Sequence, residues 1–215
     1  MPVLFRSDLW EVNRAHMKTF KRETSETDIE VKLDIYGEGN TRINTGIGFF
    51  DHMLELFGRH GFMDLEVKAD GDLEVDYHHT VEDTGIVLGR ALNECLGSRG
   101  GITRYGDVLL PMDDVLLQAA VDLGGRSYYQ GNISADRKVV NGFPLELLDE
   151  FFCSVTDHGF FNLHLLVRRT GNAHHLAEAC FKAAARALDS ALKHEKRLDE
   201  TPLSTKGQLE EGKDN

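Results

Sequence analysis

The strongest chemical signal in the sequence is a short pattern, HHxxE, that occurs twice. The copies are His78-His79-Thr80-Val81-Glu82 and His174-His175-Leu176-Ala177-Glu178. On a helix, positions i and i+4 share a face one turn apart. His78 with Glu82, and His174 with Glu178, can therefore each chelate one cation. The second His of each tandem sits about 100° further round the helix and points towards another ion. Two such helices brought together would form two sites, each drawing ligands from both. Imidazole and carboxylate donors without sulfur suit Mn, Fe, Co or Zn.

The two tetrads belong to a longer repeat. Their offset is 174 − 78 = 96, and Arg90-Ala91-Leu92 falls on Arg186-Ala187-Leu188 at the same offset. Upstream, His60-Gly61-Phe62 falls on His158-Gly159-Phe160 at an offset of 98. Further upstream, VKLDIYG (31–37) resembles AAVDLGG (119–125). Several matches in one order indicate a duplicated unit of about 90 residues. The repeat supplies a fourth ligand, because His52 falls on Glu150 at the offset of 98. Pseudo-two-fold logic then gives one set of His52, His79, His174 and Glu178, and a second of Glu150, His175, His78 and Glu82. Four protein ligands on an octahedral ion leave two positions for substrate or water. His60 and His158 match each other and either bind substrate or cap a loop. His16, His164 and His194 have no partner in the repeat and read as structural or solvent-facing.

The elements that must position these groups follow from periodicity. Alternating strands are expected at 29–36 and 115–123, and apolar helical stretches at 49–57 and 147–155. Short strands follow HGF at 64–69 and 162–168, and helices opened by the tetrads run over 81–96 and 175–193. Residues 97–114 and 135–143 read as loops. The fold class is α+β, with duplicated βαβ-containing half-domains whose mixed sheets are backed by helices about a pseudo-two-fold axis. The expected divisions are an N-terminal extension at 1–17, half-domains at 18–110 and 111–206, and a disordered tail at 207–215.

Composition narrows the function classes. The chain has 215 residues, 24 Lys plus Arg and 36 Asp plus Glu, hence a formal charge of −12. That argues against nucleic acid or an anionic membrane as partner. No apolar run reaches the roughly 20 residues of a membrane span, and the first residues lack the apolar core of a signal peptide. Three unpaired cysteines fit a reducing cytoplasm and exclude a disulfide framework or a thiolate zinc site. The absence of HExxH makes a zincin protease a poor fit. The ligand sets alone stay open to a metal-dependent hydrolase or phosphoesterase and to a non-catalytic shell protein assembled by metal.

Residues from about 18 to 207 resemble the imidazoleglycerol-phosphate dehydratase family of histidine biosynthesis. The carriers are INTGIGFFDHML (43–54), HHTVEDTGIVLG (78–89), GITRYGDVLLPMDD (101–114), VDLGGR (121–126), HHLAEACFKAAARAL (174–188) and STKG (204–207). The resemblance implies a cytoplasmic hydro-lyase that converts D-erythro-imidazole glycerol phosphate to imidazole acetol phosphate. It implies two Mn2+ per subunit stabilising a substrate imidazolate, and homo-oligomers of 24 subunits built from trimers. It also assigns Glu26 as general acid/base in contact with substrate. Arg104, Arg126, Lys182, Ser204, Thr205 and Lys206 match substrate-contact positions, with His60 added as a substrate ligand. The family often has His where this chain has Glu150.

Overall fold

The computed structural model describes residues 17–199, 201–206 and 209. The expected N-terminal extension lies outside the described residues except for Met17, as does His16. The expected tail lies outside them except for Leu209.

The first half runs β1 (Lys18–Glu23), β2 (Thr27–Asp34), β3 (Thr41–Asn44), α1 (Gly48–Gly61), β4 (Asp64–Gly71) and α2 (His78–Leu96). The second half repeats the order as β5 (Tyr105–Met112), β6 (Val115–Asp122), β7 (Tyr128–Gly131), α3 (Leu147–Gly159), β10 (Asn162–Arg169) and α4 (Ala173–Leu192). Each half forms a four-stranded mixed sheet, ordered β1-β2-β4-β3 and β5-β6-β10-β7. In each, one edge strand is antiparallel and the other, β3 or β7, is parallel to its neighbour.

The inward positions of β2 beyond Thr27, and those of β6, are apolar. Ile29, Val31 and Leu33 on β2 correspond to Leu117, Ala119 and Val121 on β6, all buried. These faces are covered by the helices, which join the halves. α1 packs on α4, and α2 packs on α3, so the four helices lie between the two sheets. Their shared core is a group of phenylalanines. Phe151 stacks on Phe181 at 5.1 Å and meets Phe50 edge-on at 5.3 Å, linking α1, α3 and α4.

The repeat also fixes the helix ends. Phe62 and Phe160 follow α1 and α3 with φ of 53° and 49°, the left-handed conformation that stops a helix. The HGF motif is thus a terminator, and the ring of His158 donates from Nδ1 to the Ser154 carbonyl at 3.0 Å. This places His158 in a structural role.

The structure corrects the expected loop at 97–114. Tyr105–Met112 is a strand, and it pairs along its whole length with β6. Its alternation is masked by Gly106 and Pro111, which an edge strand tolerates. The expected division at 110/111 falls inside this strand. The halves also differ by an insertion. Residues 132–146 separate β7 from α3, whereas only 45–47 separate β3 from α1. Within the insertion a two-strand hairpin, β8 (Val139–Val140) with β9 (Phe143–Pro144), buries Phe143 against Phe49 at 5.3 Å.

Candidate metal centre and anion cleft

Packing of α1 on α4 brings together His52, His174 and Glu178. Among the described residues this is the only group of three or more His, Cys, Asp or Glu whose donor atoms all lie within 4.8 Å of one another. Glu178 Oε1 stands 3.2 Å from His52 Nε2 and 2.9 Å from His174 Nε2. Its other oxygen accepts from the Lys182 ammonium at 2.6 Å, one helical turn on. Burial by itself would push Glu178 up. The bonds from Lys182, His52 and His174 outweigh it and hold the carboxyl down at about 2. Two imidazole nitrogens and a charged carboxylate oxygen form a donor set that fits a divalent transition ion. The ligands come from both halves of the chain, as the repeat predicts.

His79, expected as the fourth member, does not join this group within one chain. The tetrad helices α2 and α4 pack against α3 and α1 rather than against each other, so their N-termini do not meet. His79 sits instead between two carboxylates. Its Nδ1 lies 3.0 Å from Asp72 Oδ2 and 3.8 Å from Glu26 Oε2. The Asp72 hydrogen bond is the main cause that raises its pKa. Glu26 follows Thr24, whose hydroxyl accepts from the backbone N–H of Glu26 and Thr27. Thr27 donates to the buried Asp83 of α2, which also binds Arg22 at 2.8 Å. The Glu26 turn is thereby tied to the first tetrad helix.

Among the described residues the second predicted set does not close into such a group within a single chain. His78 Nε2 and Glu82 Oε2 face each other at 3.7 Å across one turn of α2. His175 is held by Asp114, with Nδ1 at 2.8 Å from Oδ1, and approaches Asp113 at 3.6 Å. Glu150 is exposed in the first turn of α3, the helix that packs on α2.

The substrate-contact positions separate into two places. Arg104, Arg126, Ser204, Thr205 and Lys206 line one open cleft of about 650 Å³. Arg104 is bidentate to Asp122 at 2.7 and 3.0 Å and donates to the Leu203 carbonyl at 2.7 Å. It therefore anchors the C-terminal segment as one wall of the cleft. Arg126, Thr205 and Lys206 are exposed there. Lys182 stands apart in its ion pair with Glu178. His60 lies beside that pair, where burial and the charges of Lys182 and Arg186 lower its pKa and favour a neutral ring.

Sequence reasoning missed the side-chain partners of the tandem histidines. Asp76 and Asn172, each two residues before its tetrad, accept from the backbone N–H of His78 and His174 at 2.7 and 2.8 Å. N-x-H-H is an N-cap signal visible in the sequence, and D-x-H-H makes the same bond from one residue ahead of the cap position. Asp72 and Asp114 carry no such signal. Asp114 is 61 residues from His175, and the β5–β6 turn alone brings it there.

No helix among the described residues is long and apolar enough to cross a membrane. The family model for imidazoleglycerol-phosphate dehydratase matches residues 45–188. The chain is 54% identical over 192 residues to imidazoleglycerol-phosphate dehydratase of Salinibacter ruber, covering 89% of this chain and 94% of that protein. It is 53% identical to the enzyme of the same name from Acidiphilium cryptum, covering 87% and 96%. Among solved structures, imidazoleglycerol-phosphate dehydratase of Staphylococcus aureus superposes with a TM-score of 0.75 at 36% identity, over 83% of this chain and 100% of that one. The Pyrococcus furiosus protein gives the same TM-score at 35% identity, over 88% and 99%. Resemblance across nearly the whole length, in sequence and in fold, establishes that the chain belongs to the imidazoleglycerol-phosphate dehydratase family, dehydratases of histidine biosynthesis.

Proposed function

We propose that this dehydratase acts on D-erythro-imidazole glycerol phosphate with two divalent ions per subunit, Mn2+ first among them, in the cytoplasm. The observation that carries the metal-dependent reading is the convergence of His52, His174 and Glu178 from both halves of the repeat. These three, with His79, would hold one ion, and His78, Glu82, His175 and Glu150 would supply donors for the second. Bound there, such an ion acts as a Lewis acid towards the imidazole nitrogens of the substrate.

The chain's own residues supply the rest. The reaction breaks a C–O bond beside the imidazole, removes the C–H proton of the next carbon, and leaves an enol that becomes the ketone. A carboxylate must carry a proton, and Glu26 is exposed beside His79, where it can reach a bound molecule. The phosphate group suits the cleft of Arg126, Lys206, Ser204 and Thr205, with Arg forking to two oxygens and Lys acting as a point charge.

The triad, the Glu26 turn and the cationic cleft lie on different parts of one chain, which supports a homo-oligomer in which copies complete each other's sites. The outer faces of the two sheets support it further. On the first, β2 presents Asp28, Glu30, Lys32 and Asp34, with Lys21 and Glu66 paired to them at 2.5 and 3.1 Å. At equivalent places the second sheet presents Leu116, Gln118, Ala120 and Asp122, the last paired with Arg104, with Leu109, Tyr105 and Tyr128 more than half exposed. One face is suited to water and the other to a second copy.

Paired substitutions test the residue roles. Glu26→Gln should lower kcat by about 10²-fold or more with Mn2+ content unchanged. Lys206→Ala should raise KM strongly with modest metal loss, and an unchanged KM would remove the phosphate assignment.

A further inference from the structure

We infer that Asp72 and Asp114 are positioning residues that orient the second histidine of each tandem so that its Nε2 is the atom presented to a metal ion. This rests on the metal-dependent reading above and adds two residues to it.

The four tandem histidines divide into two kinds. In the first of each pair, His78 and His174, Nε2 is turned towards the Glu one turn on, at 3.7 and 2.9 Å. In the second of each pair the hydrogen-bonded carboxylate is at Nδ1, from Asp72 to His79 at 3.0 Å and from Asp114 to His175 at 2.8 Å, while Asp113 Oδ2 stands 3.6 Å from His175 Nε2, beyond hydrogen-bond distance. A carboxylate oxygen only accepts, so each ring places its proton on Nδ1. The lone pair of the neutral ring then sits on Nε2. A ligating histidine held in this way has its tautomer and ring direction set before the ion arrives.

The two carboxylates are not equivalents in the repeat. Asp72 follows β4, and Asp114 belongs to the turn between β5 and β6. Different parts of the fold thus deliver the same group to the same ring atom. Both aspartates are themselves held, Asp72 through its backbone and Asp114 through its carboxylate. The backbone N–H of Asp72 donates to the Glu26 carbonyl at 3.2 Å. Asp114 Oδ2 accepts from the backbone N–H of Asn172 at 2.7 Å. Gly171 leaves the room this needs, because a Cβ there would lie 2.3 Å from Asp114 Cγ. Neither contact is needed to start a helix, since Asp76 and Asn172 already accept from the first N–H of each tetrad.

The test is Mn2+ binding by the full-length protein, measured by calorimetry, together with the melting temperature of the metal-free protein. Asp72→Ala and Asp114→Ala should each weaken Mn2+ binding by about 10–100-fold. The Asn variants, whose carbonyl oxygen can still accept from Nδ1–H, should recover part of that loss. The Asn variants also carry the measurement if an Ala variant folds poorly. The proposal is overturned if folded variants bind Mn2+ as the wild type does. It is also overturned if the loss of affinity only tracks a fall in metal-free melting temperature and Asn restores nothing. Wild-type protein that binds no Mn2+ would instead remove the metal-dependent reading itself.

Discussion

Glu178 is a carboxylate in the protein interior that stays charged, because Lys182, His52 and His174 all donate to it. Its folded pKa of about 2 lies below the ordinary 4.5. A depressed carboxylate adds stability that is fully present above the unfolded value and is lost as pH falls through the folded one. In metal-free protein, Glu178→Gln should therefore cost on the order of 2 kcal/mol near pH 6. The difference from wild type should shrink as pH is lowered from about 4.5 towards 2. Urea unfolding with chelator at several pH values measures this, and a difference independent of pH would contradict it. At this scale the sequence was informative where spacing alone decides. His174 with Glu178, and His78 with Glu82, follow from one helical turn, and His52 follows from the repeat. Asp72 and Asp114 could not be read that way, since tertiary turns bring them to their histidines. Nor could the separation of His79 from the triad, which depends on which helices pack together.

Helix crossings explain both what joins the halves and where their symmetry fails. A Cβ on Gly89 of α2 would lie 2.6 Å from the Val155 carbonyl of α3, and one on Gly85 would lie 2.9 Å from that of Phe151. The equivalent positions on α4 are Ala185 and Phe181. The α2–α3 crossing thus depends on backbone contact, while the equivalent α1–α4 crossing is filled by side chains. Gly89→Ala gains about 1 kcal/mol of helix propensity. It meets backbone that cannot yield, at about 1–3 kcal/mol or more. The steric term should win and lower the melting temperature, whereas Gly48→Ala, with nothing within 4 Å, should not. Equal melting temperatures for the two variants would show that the helices can move apart. Helices and central strands were legible from their apolar periodicity. The edge strands β1, β3, β5 and β7 were not, because β3 and β7 span only four residues, β1 is mostly polar, and Gly106 and Pro111 interrupt β5.

The whole molecule is a duplicated unit whose two sheets have diverged on their outer faces. Leu109 on β5 and Lys21 on β1 occupy matching places, opposite Gln118 and Glu30 respectively. Leu109→Glu should therefore shift the assembly to smaller species in light scattering, while Lys21→Glu leaves its size unchanged. Identical sizes for wild type and Leu109→Glu would place the contact elsewhere. The repeat was visible in the sequence, but this difference between its halves was not, since it needs the register of all four strands. The same duplication places His52, His174 and Glu178 where the halves meet, and metal-dependent dehydration is the claim on which the functional reading stands. Its most direct test is turnover of imidazole glycerol phosphate by metal-free protein before and after Mn2+ is restored, following the enolisable ketone. The account expects ketone formation only with the ion, abolished by Glu178→Ala. Full turnover in chelator, or release of free phosphate without ketone, would contradict it.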